Sequence, residues 1–399
     1  MELYIFISLI SEVLLSAKIS NQMSTSSPLR RMKGIFAGND RAINQPFTSS
    51  RSTDRAQAIV ESFKKSSECP KFRLKRFQYE ITIHQLTEAK YKSGIIDIIE
   101  HQKNYPDIRN EAFVAHLILL YGKAKMDHHA RKLFDEMPQL NCPRTVFSFN
   151  ALLAAYLKSE KYDKIGGLFR ELPPKLSIVP DLVSYNTGIK ALCKAGLLDS
   201  AVNLMDEIEN HGIKPNIVTC NTLLNAFHES KRYSEAESLW AMMEKRNIIP
   251  DLCSYNIKLI SLVKANKVSK AIQFFDEIVN KGFKPDRYSY SAMIKMYVAK
   301  GNLEEVNIWY EKMTQNGCLP DVSTLTMLIS FACSAKKIDF ALDLCKEAMN
   351  SRKAIHNTIM QRVVNCLVEH SKIENARELV KLAESCKSFR YELSLPLHN

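Results

Sequence analysis

Glycine and proline are scarce in this chain, and its cysteines show no spacing typical of a zinc site. Only 12 of the 399 residues are glycine and 14 are proline, which is too few for a loop-rich all-β protein or for a disordered chain. Ten cysteines occur, but no two form a C-x-x-C pair, and a disulfide scaffold would be smaller and denser in cysteine. We therefore interpret the cysteines, among them Cys193 and Cys333, as reduced packing residues, and we expect neither a metal site nor a cofactor.

Residue sets that carry out catalysis are missing as well. No cluster of carboxylates could hold catalytic magnesium, and no glycine-rich loop could bind a phosphate. His128 and His129 are adjacent, so they cannot share one face of a helix, and we interpret them as surface residues. The sequence therefore predicts a protein that is not an enzyme and has no small-molecule substrate.

The first 75 residues differ in composition from the rest. Residues 1–22 are an apolar extension of doubtful status, because Glu2 and Glu12 and the absence of a leading basic residue fit neither a signal peptide nor a membrane span. The start codon is either Met1 or Met23. Residues 23–75 are basic, rich in serine and poor in acid, which is typical of an organellar transit peptide; a disordered basic tail is the alternative.

The charge balance favours a polyanionic partner. The formal net charge is +12, which points first to nucleic acid and second to an acidic membrane surface. Lys71, Arg73, Lys75 and Arg76 form a basic cluster suited to phosphate contact, although a solvated charged face is the alternative.

A proline followed by Asp or Asn recurs every 35 residues. It occurs at Pro180-Asp181, Pro215-Asn216, Pro250-Asp251, Pro285-Asp286 and Pro320-Asp321. A second motif keeps the same period, at Ser148-Phe149-Asn150, Ser184-Tyr185-Asn186, Thr219-Cys220-Asn221, Ser254-Tyr255-Asn256 and Ser289-Tyr290-Ser291. Two motifs in step over so many copies predict an internal repeat.

We place the repeats in residues 111–391, with a degenerate helical copy at 76–110 and a tail at 392–399. The eight repeats are 111–145, 146–181, 182–216, 217–251, 252–286, 287–321, 322–356 and 357–391.

Each repeat has the pattern of two helices separated by turns. In 182–216, Gly196 breaks the first helix, Asp199 suits the start of the second, and Gly212 and Pro215 end it. The second helix carries a periodic alanine, followed four and three positions later by large apolar residues, so that all three lie on one face. Because such a hairpin is apolar on both sides, the fold class is all-α, a right-handed superhelical solenoid of about eight helix-turn-helix units.

The stretch 183–216, V-S-Y-N-T … A-L-C-K-A-G-L-L-D-S-A-V-N-L-M-D-E-I-E-N-H-G-I-K-P-N, closely resembles a P-type pentatricopeptide repeat. The resemblance extends over 111–391 and is most specific in 146–321. It implies binding of single-stranded RNA with one base per repeat, read by two or three side chains. The reading positions implied are the fifth residue and the last, with an apolar second residue stacking between bases.

Carried onto this chain, the resemblance implies five reading pairs and four stacking residues. The pairs are Asn150 with Asp181, Asn186 with Asn216, Asn221 with Asp251, Asn256 with Asp286, and Ser291 with Asp321; the stacking residues are Phe147, Val183, Val218 and Tyr288. The implied preference is U-Y-U-U-G, with the N-terminal repeat toward the 5′ end. A carboxamide offers a donor and an acceptor side by side, which matches the edge of a pyrimidine.

Other repeats depart from this pattern. Three pairs are poor readers, Ala115 with Thr145, Thr326 with His356, and Gln361 with Tyr391, and Cys253 is a weak stacking residue. The alternative interpretation of the polar motifs is that Asn, Ser and Pro-Asp serve only as helix caps and turns.

Three functions remain open at this stage. The first is a non-catalytic RNA-binding protein of organellar gene expression, acting in RNA processing, stability or translation. The second is an accessory subunit of the mitochondrial small ribosomal subunit, because residues 148–191 resemble a subgroup of plant mitochondrial P-type proteins of which some are ribosomal. The third is a peptide-binding scaffold. The expected partners are single-stranded mRNA or rRNA and ribosomal small-subunit proteins, without a membrane. The expected location is the mitochondrion, with the plastid as the alternative.

Overall fold

The computed structural model describes residues 49–385 and 392–396, which are α-helical apart from turns, loops and one 3-10 helix, Pro106–Arg109. None of the helices described is both long and apolar enough to cross a membrane. The twenty α-helices of these residues are α1 Ser49–Ser67, α2 Pro70–Arg73, α3 Arg76–Glu88, α4 Lys92–Gln102, α5 Glu111–Lys123, α6 Asp127–Glu136, α7 Val146–Lys158, α8 Tyr162–Leu176, α9 Leu182–Lys194, α10 Leu198–Asn210, α11 Ile217–Glu229, α12 Tyr233–Lys245, α13 Leu252–Lys264, α14 Val268–Asn280, α15 Arg287–Ala299, α16 Leu303–Gln315, α17 Val322–Ser334, α18 Ile338–Asn350, α19 Asn357–Glu369 and α20 Ile373–Ser385.

Two compact units divide the described chain, and the division falls within α13. The N-terminal unit comprises the described residues up to Ile257, and the C-terminal unit those from Lys258 onward. In the N-terminal unit the first helices of successive repeats pack in a row, α5 on α7, α7 on α9 and α9 on α11, each with its own second helix beside it. In the C-terminal unit α15, α17 and α19 form the same kind of row. The all-α prediction of stacked helical hairpins is confirmed, whereas the sequence motifs gave no sign of two units.

The turns between helices keep the 35-residue period even where glycine is absent. In both kinds of turn one residue adopts a left-handed conformation; within hairpins these are Lys90, Lys125, Glu160, Gly196, Lys231, Asn266, Gly301, Lys336 and Ser371, and between hairpins Asn141, Ser177, Gly212, Asn247, Gly282, Gly317 and Arg352. The residue after Lys231, Arg232, donates its N–H to the carbonyl of Phe227 at 2.9 Å, and Leu197 does the same to Leu192 after Gly196. This bond closes the end of the helix, so it holds the left-handed residue in place whether or not that residue is glycine.

The core of each hairpin follows the predicted apolar stripe. The periodic alanine of the second helix is buried in all six repeats that carry it, Ala130, Ala201, Ala236, Ala271, Ala341 and Ala376. Seven positions after this place in the repeat, a large apolar residue is buried in six repeats, at Met137, Leu172, Ile208, Met243, Ile278 and Met313; Leu172 and Met313 follow Ile165 and Val306 in place of the alanine. Because each such side chain contributes roughly 1.5–3 kcal/mol when fully buried, these stripes are a main source of the stability of the array.

The N-terminal helices α1 and α2 contradict a disordered tail over the residues they cover, while the transit assignment stays a prediction. We assigned 23–75 to a transit or disordered segment, but the structure places most of 49–75 in these two helices, and Ala56, Val60 and Phe63 are buried against α3 and α4. The spacing of four and three between these residues makes one apolar face of α1. Residues 1–48, which include Met23 and the rest of the proposed transit segment, lie outside the described residues.

The buried cysteines pack as predicted. Cys220 and Cys333 are buried, whereas Cys193 is only half-buried. Burial raises the pKa of the Cys220 thiol to about 11 and raises that of Cys333 as well, so both thiols stay protonated at neutral pH.

Helices α5 and α7 approach each other unusually closely at one glycine. A Cβ on Gly122 would lie 2.4 Å from the Cα of Ala155, and the Ser159 hydroxyl donates a hydrogen bond to the Gly122 carbonyl at 3.3 Å. Backbone atoms cannot move aside as the end of a side chain can. The contact therefore requires glycine at position 122.

We predict that Gly122→Ala lowers the free energy of unfolding by about 1–3 kcal/mol, because the added methyl group overpacks a rigid contact. The matched control is Gly166→Ala in α8, where an added Cβ meets nothing within 4 Å. There the higher helix propensity of alanine should add up to about 1 kcal/mol of stability. Urea unfolding followed by circular dichroism measures both; equal effects of the two substitutions would contradict the assigned contact.

Candidate nucleic-acid interface

Three of the predicted reading pairs lie in the N-terminal unit, and in each the two side chains contact each other. The Nδ2 of Asn150 donates to Oδ1 of Asp181 at 3.0 Å, and the Nδ2 of Asn221 donates to Oδ1 of Asp251 at 3.1 Å. The contact between Asn186 and Asn216 is longer, 3.5 Å. The structure therefore brings together the fifth and the last residue of each of these repeats, while their reading of a base stays a prediction.

The last residue of each of these pairs also caps the next helix. Oδ1 of Asp181 accepts the backbone N–H of Ser184 at 2.9 Å, and Oδ1 of Asp251 accepts that of Ser254 at 2.9 Å. Oδ1 of Asn216 accepts the N–H groups of Val218 and Thr219, both at 3.1 Å. The helix-cap interpretation is thus correct for the last position, and it holds together with the contact to the amide.

The amides at the fifth position have a different setting. Asn150, Asn186 and Asn221 are each the fifth residue of a first helix and are half-buried. None of them caps its own helix. The caps are the residues just before the helices, Thr145, Asp181 and Asn216. An amide in this place is partly open to solvent and has no structural task at its own helix end.

A buried hydroxyl completes each amide contact, and the sequence analysis missed it as a site residue. Ser184 Oγ lies 2.5 Å from Oδ1 of Asn150, Thr219 Oγ1 lies 2.6 Å from Oδ1 of Asn186, and Ser254 Oγ lies 2.6 Å from Oδ1 of Asn221. These residues belong to the periodic Ser/Thr-x-Asn motif, so their period was visible. Their role was not, because the contact reaches back to the preceding repeat.

The two remaining pairs differ from these three. Asn256 and Asp286 have one residue in each unit, and their pairing stays a prediction. In the C-terminal unit, the hydroxyl of Ser291 lies 2.8 Å from that of Thr324, which donates to Oδ1 of Asp321 at 2.9 Å. Ser291 is therefore linked to its predicted partner through Thr324.

The predicted stacking residues are not equally accessible. Val218 and Tyr288 are exposed, whereas Phe147 and Val183 are half-buried, and Phe147 packs against the core. The guanidinium of Arg287 lies over the Tyr288 ring, 4.9 Å from its centroid. Arg287 thus covers one face of that ring.

Arg73 must be removed from the predicted phosphate cluster. It is buried, its Nε donates to Oδ2 of Asp107 at 2.7 Å, and a terminal nitrogen donates to the carbonyl of Ser67 at 2.8 Å. Its guanidinium also lies over the Tyr105 ring at 4.2 Å. A side chain so engaged supports the packing of the N-terminal hairpins and is not available to a phosphate.

Lys71, Lys75 and Arg76, by contrast, are exposed. Their contact with phosphate stays a prediction.

At the two ends of the array the amide contact is absent or replaced. In the first repeat position 115 is alanine, and Glu111 accepts the N–H of Thr145 at 2.8 Å instead. In the last repeat, Nε2 of Gln361 donates to the carbonyl of Ser394 at 2.8 Å, and its Oε1 accepts the Ser394 N–H at 3.0 Å. Its predicted partner Tyr391 lies outside the described residues. Weak reading at the two ends stays a prediction.

Solved structures with a similar arrangement of helices include the maize pentatricopeptide repeat protein PPR10. The likeness covers 85% of this chain and 58% of that chain, with 16% identity and a TM-score of 0.45. PPR10 in complex with an 18-nt psaJ RNA element gives 19% identity and a TM-score of 0.42, over 94% of this chain and 58% of that chain. Identities and scores this low carry no functional information about this chain.

Similar sequences include two small ribosomal subunit proteins of Arabidopsis thaliana. The protein mS78 (rPPR3a) is 52% identical over 155 residues, which are 39% of this chain and 39% of that protein. The protein mS79 (rPPR3b) is 50% identical over 156 residues, 39% of this chain and 40% of that protein. A pentatricopeptide repeat-containing protein of the same plant, named as mitochondrial, is 40% identical over 162 residues, 40% of this chain and 38% of that protein. The matches thus span about two fifths of these relatives.

The family matches cover most of the repeat array. The PPR repeat family matches residues 180–229, 215–262, 253–298 and 289–334, and the PPR repeat matches 116–142 and 147–173. Together they cover just over half of the chain. The chain therefore belongs to the pentatricopeptide repeat family of RNA-binding helical-repeat proteins.

Proposed function

We propose that this chain binds a short, uridine-rich stretch of single-stranded RNA and does so as an accessory component of the mitochondrial small ribosomal subunit. The observation that carries the RNA part is the repeated contact of a fifth-position amide with the last residue of its repeat, in three successive repeats of the N-terminal unit. A chance arrangement of helix caps would not place an amide beside each cap.

The chemistry of the amide supports a pyrimidine. One Nδ2–H of Asn150 is used by Asp181, and one lone pair of its Oδ1 is used by Ser184. Ser184 Oγ also lies 3.0 Å from Oδ1 of Asp181, so both partners lie on the same edge of the amide. The second N–H and the second lone pair remain at its two ends. The free lone pair of Oδ1 can accept the N3–H of uracil, which makes one hydrogen bond to the base.

The small number of complete pairs indicates modest affinity and selectivity for RNA. Stacking contributes roughly 1–3 kcal/mol per base where the side chain is aromatic, but three of the four predicted stacking positions carry valine or a Phe147 packed against the core. A few partly degenerate positions cannot select one site among many transcripts. Such a protein depends on further partners to hold it in place.

The similar proteins supply the candidate assembly. Two relatives that are 50–52% identical over the matched residues are small ribosomal subunit proteins, and a further relative is named as mitochondrial. A ribosomal location would add RNA and protein contacts beyond the repeats. It would thereby compensate for the limited selectivity of the array, and the mitochondrion is the compartment we propose.

A second candidate is a free organellar RNA-binding protein that acts in RNA processing, stability or translation. It is favoured by the succession of three amide pairs, which forms a reading segment without any contribution from a partner. In this case the bound RNA is an mRNA rather than rRNA.

For RNA binding, we predict that Asn150→Ala and Asn221→Ala each weaken binding to oligouridine by about 1 kcal/mol, close to fivefold, because one hydrogen bond to the base is lost. The matched control is Asn203→Ala, at an exposed asparagine of the second helix α10. Fluorescence anisotropy with oligouridine and oligoadenine measures these affinities. Equal affinity of the unaltered chain for the two RNAs would contradict the proposed preference.

For the assembly, we predict that the tagged protein sediments with the small ribosomal subunit in lysates of plant mitochondria. Partial resistance of this comigration to RNase is expected, because ribosomal proteins would hold it as well as rRNA. A shift to light fractions after RNase favours the free RNA-binding protein. RNA crosslinking at background level would leave only a peptide-binding scaffold.

A further inference from the structure

We infer that the third residue of the following repeat positions each reading amide: Ser184 for Asn150, Thr219 for Asn186 and Ser254 for Asn221. This inference rests on the proposed reading of uridine and adds a third side chain to each reading pair. The hydroxyl does not touch the base. It fixes which way the amide faces.

The hydrogen bonds leave only one orientation of Asn150. Oδ1 of Asp181 is an acceptor, so the asparagine atom 3.0 Å from it must be the donor Nδ2. The Ser184 hydroxyl accepts the backbone N–H of Asp181 at 3.2 Å and keeps its own proton to donate. Its nearest acceptor is Oδ1 of Asn150 at 2.5 Å, ahead of Oδ1 of Asp181 at 3.0 Å. Turning the amide over would place Nδ2 against the hydroxyl and Oδ1 against the carboxylate.

The hydroxyl and the acid differ in burial, and therefore in how firmly each holds the amide. The side chains of Ser184, Thr219 and Ser254 are completely buried, whereas Asp251 is exposed. Water can compete for an exposed carboxylate, but it cannot replace a hydroxyl that it does not reach. The buried contact is therefore the more persistent of the two.

In the repeat that contains Asn186, the hydroxyl makes the stronger of the two contacts to the amide. The contact from Asn186 to the last residue, Asn216, is 3.5 Å long and correspondingly weak. The contact to Thr219 is 2.6 Å, as short as in the other two repeats. Thr219 Oγ1 also accepts the backbone N–H of Asn216 at 3.2 Å, which leaves its proton for Oδ1 of Asn186. The placement of this amide therefore depends mainly on Thr219.

A fixed orientation has a consequence for base choice. Along the edge that includes N3, uracil presents a carbonyl oxygen and an N–H, while cytosine presents an amino group and an unprotonated nitrogen at the same two places. An amide held one way round matches only one of the two bases, and an amide free to turn over matches both. The third-position hydroxyl thus sets the discrimination between uracil and cytosine.

The test compares Ser184→Ala and Ser254→Ala with the unaltered chain. The probes are three RNA oligonucleotides. One has the core U-U-U-U-G, and the other two have the same core with cytosine at the first or at the third position, which face Asn150 and Asn221. We expect the ratio of uridine to cytidine affinity at the matching position to fall about five- to tenfold, the size of one hydrogen bond to the base. Ser184→Thr and Ser254→Thr should restore the ratio, because threonine keeps the hydroxyl.

Ser148→Ala is the matched control. Ser148 occupies the same third position and is buried, but the fifth residue of the preceding repeat is Ala115, and its hydroxyl donates to the carbonyl of Thr145 instead. The control loses a similar helix-end hydroxyl and should leave the ratio unchanged; circular dichroism checks that each variant folds.

Three outcomes contradict the inference or the proposal beneath it. An unchanged ratio in both serine variants, or an equal fall in Ser148→Ala, overturns the positioning role. An unaltered chain that binds the RNA without preferring uridine overturns the proposed reading of uridine itself.

Discussion

At junctions between repeats of the N-terminal unit, one side-chain oxygen accepts hydrogen bonds from both repeats. The carboxylate of Asp181 accepts the N–H of Ser184, which starts helix α9, and also accepts the amide of Asn150 from the repeat before. The first bond fixes where a helix begins and thereby keeps the repeats in step, since a helix start left without a cap costs about 1 kcal/mol. The second bond lies on the partly exposed edge of the array. The position of a reading amide is therefore a consequence of how the repeat folds.

Apolar packing stabilises this arrangement far more than surface charge does. Ion pairs link neighbouring repeats, for example Lys125 with Glu160 at 2.9 Å and Arg232 with Asp199 at 2.6 Å. Most of these side chains are largely exposed, so each pair contributes at most about 1 kcal/mol. The buried stripes of alanine and large apolar residues dominate instead. The surface is consequently free to vary in charge while the path of the amides stays fixed.

The sequence motifs predicted the features that repeat and missed those that depend on a particular distant partner. The 35-residue period, the helix pairs and the three amide contacts all follow from residues at constant spacing. The burial of Arg73 could not be predicted, because its partner Asp107 is 34 residues away in a degenerate hairpin without the motifs. Helix α1 lies in a segment whose basic, serine-rich composition conceals the helical spacing of Ala56, Val60 and Phe63. The left-handed turn at Lys231 could not be predicted because no glycine marks it.

A high-resolution structure of the array with bound oligouridine tests the central claim most directly. The account predicts that uracil N3–H donates to Oδ1 of Asn150 while Nδ2 keeps its contact with Asp181, near the present 3.0 Å. The same arrangement should recur at Asn221. Bases bound elsewhere on the array, or an Asn150 amide turned so that Nδ2 faces Ser184, would contradict it.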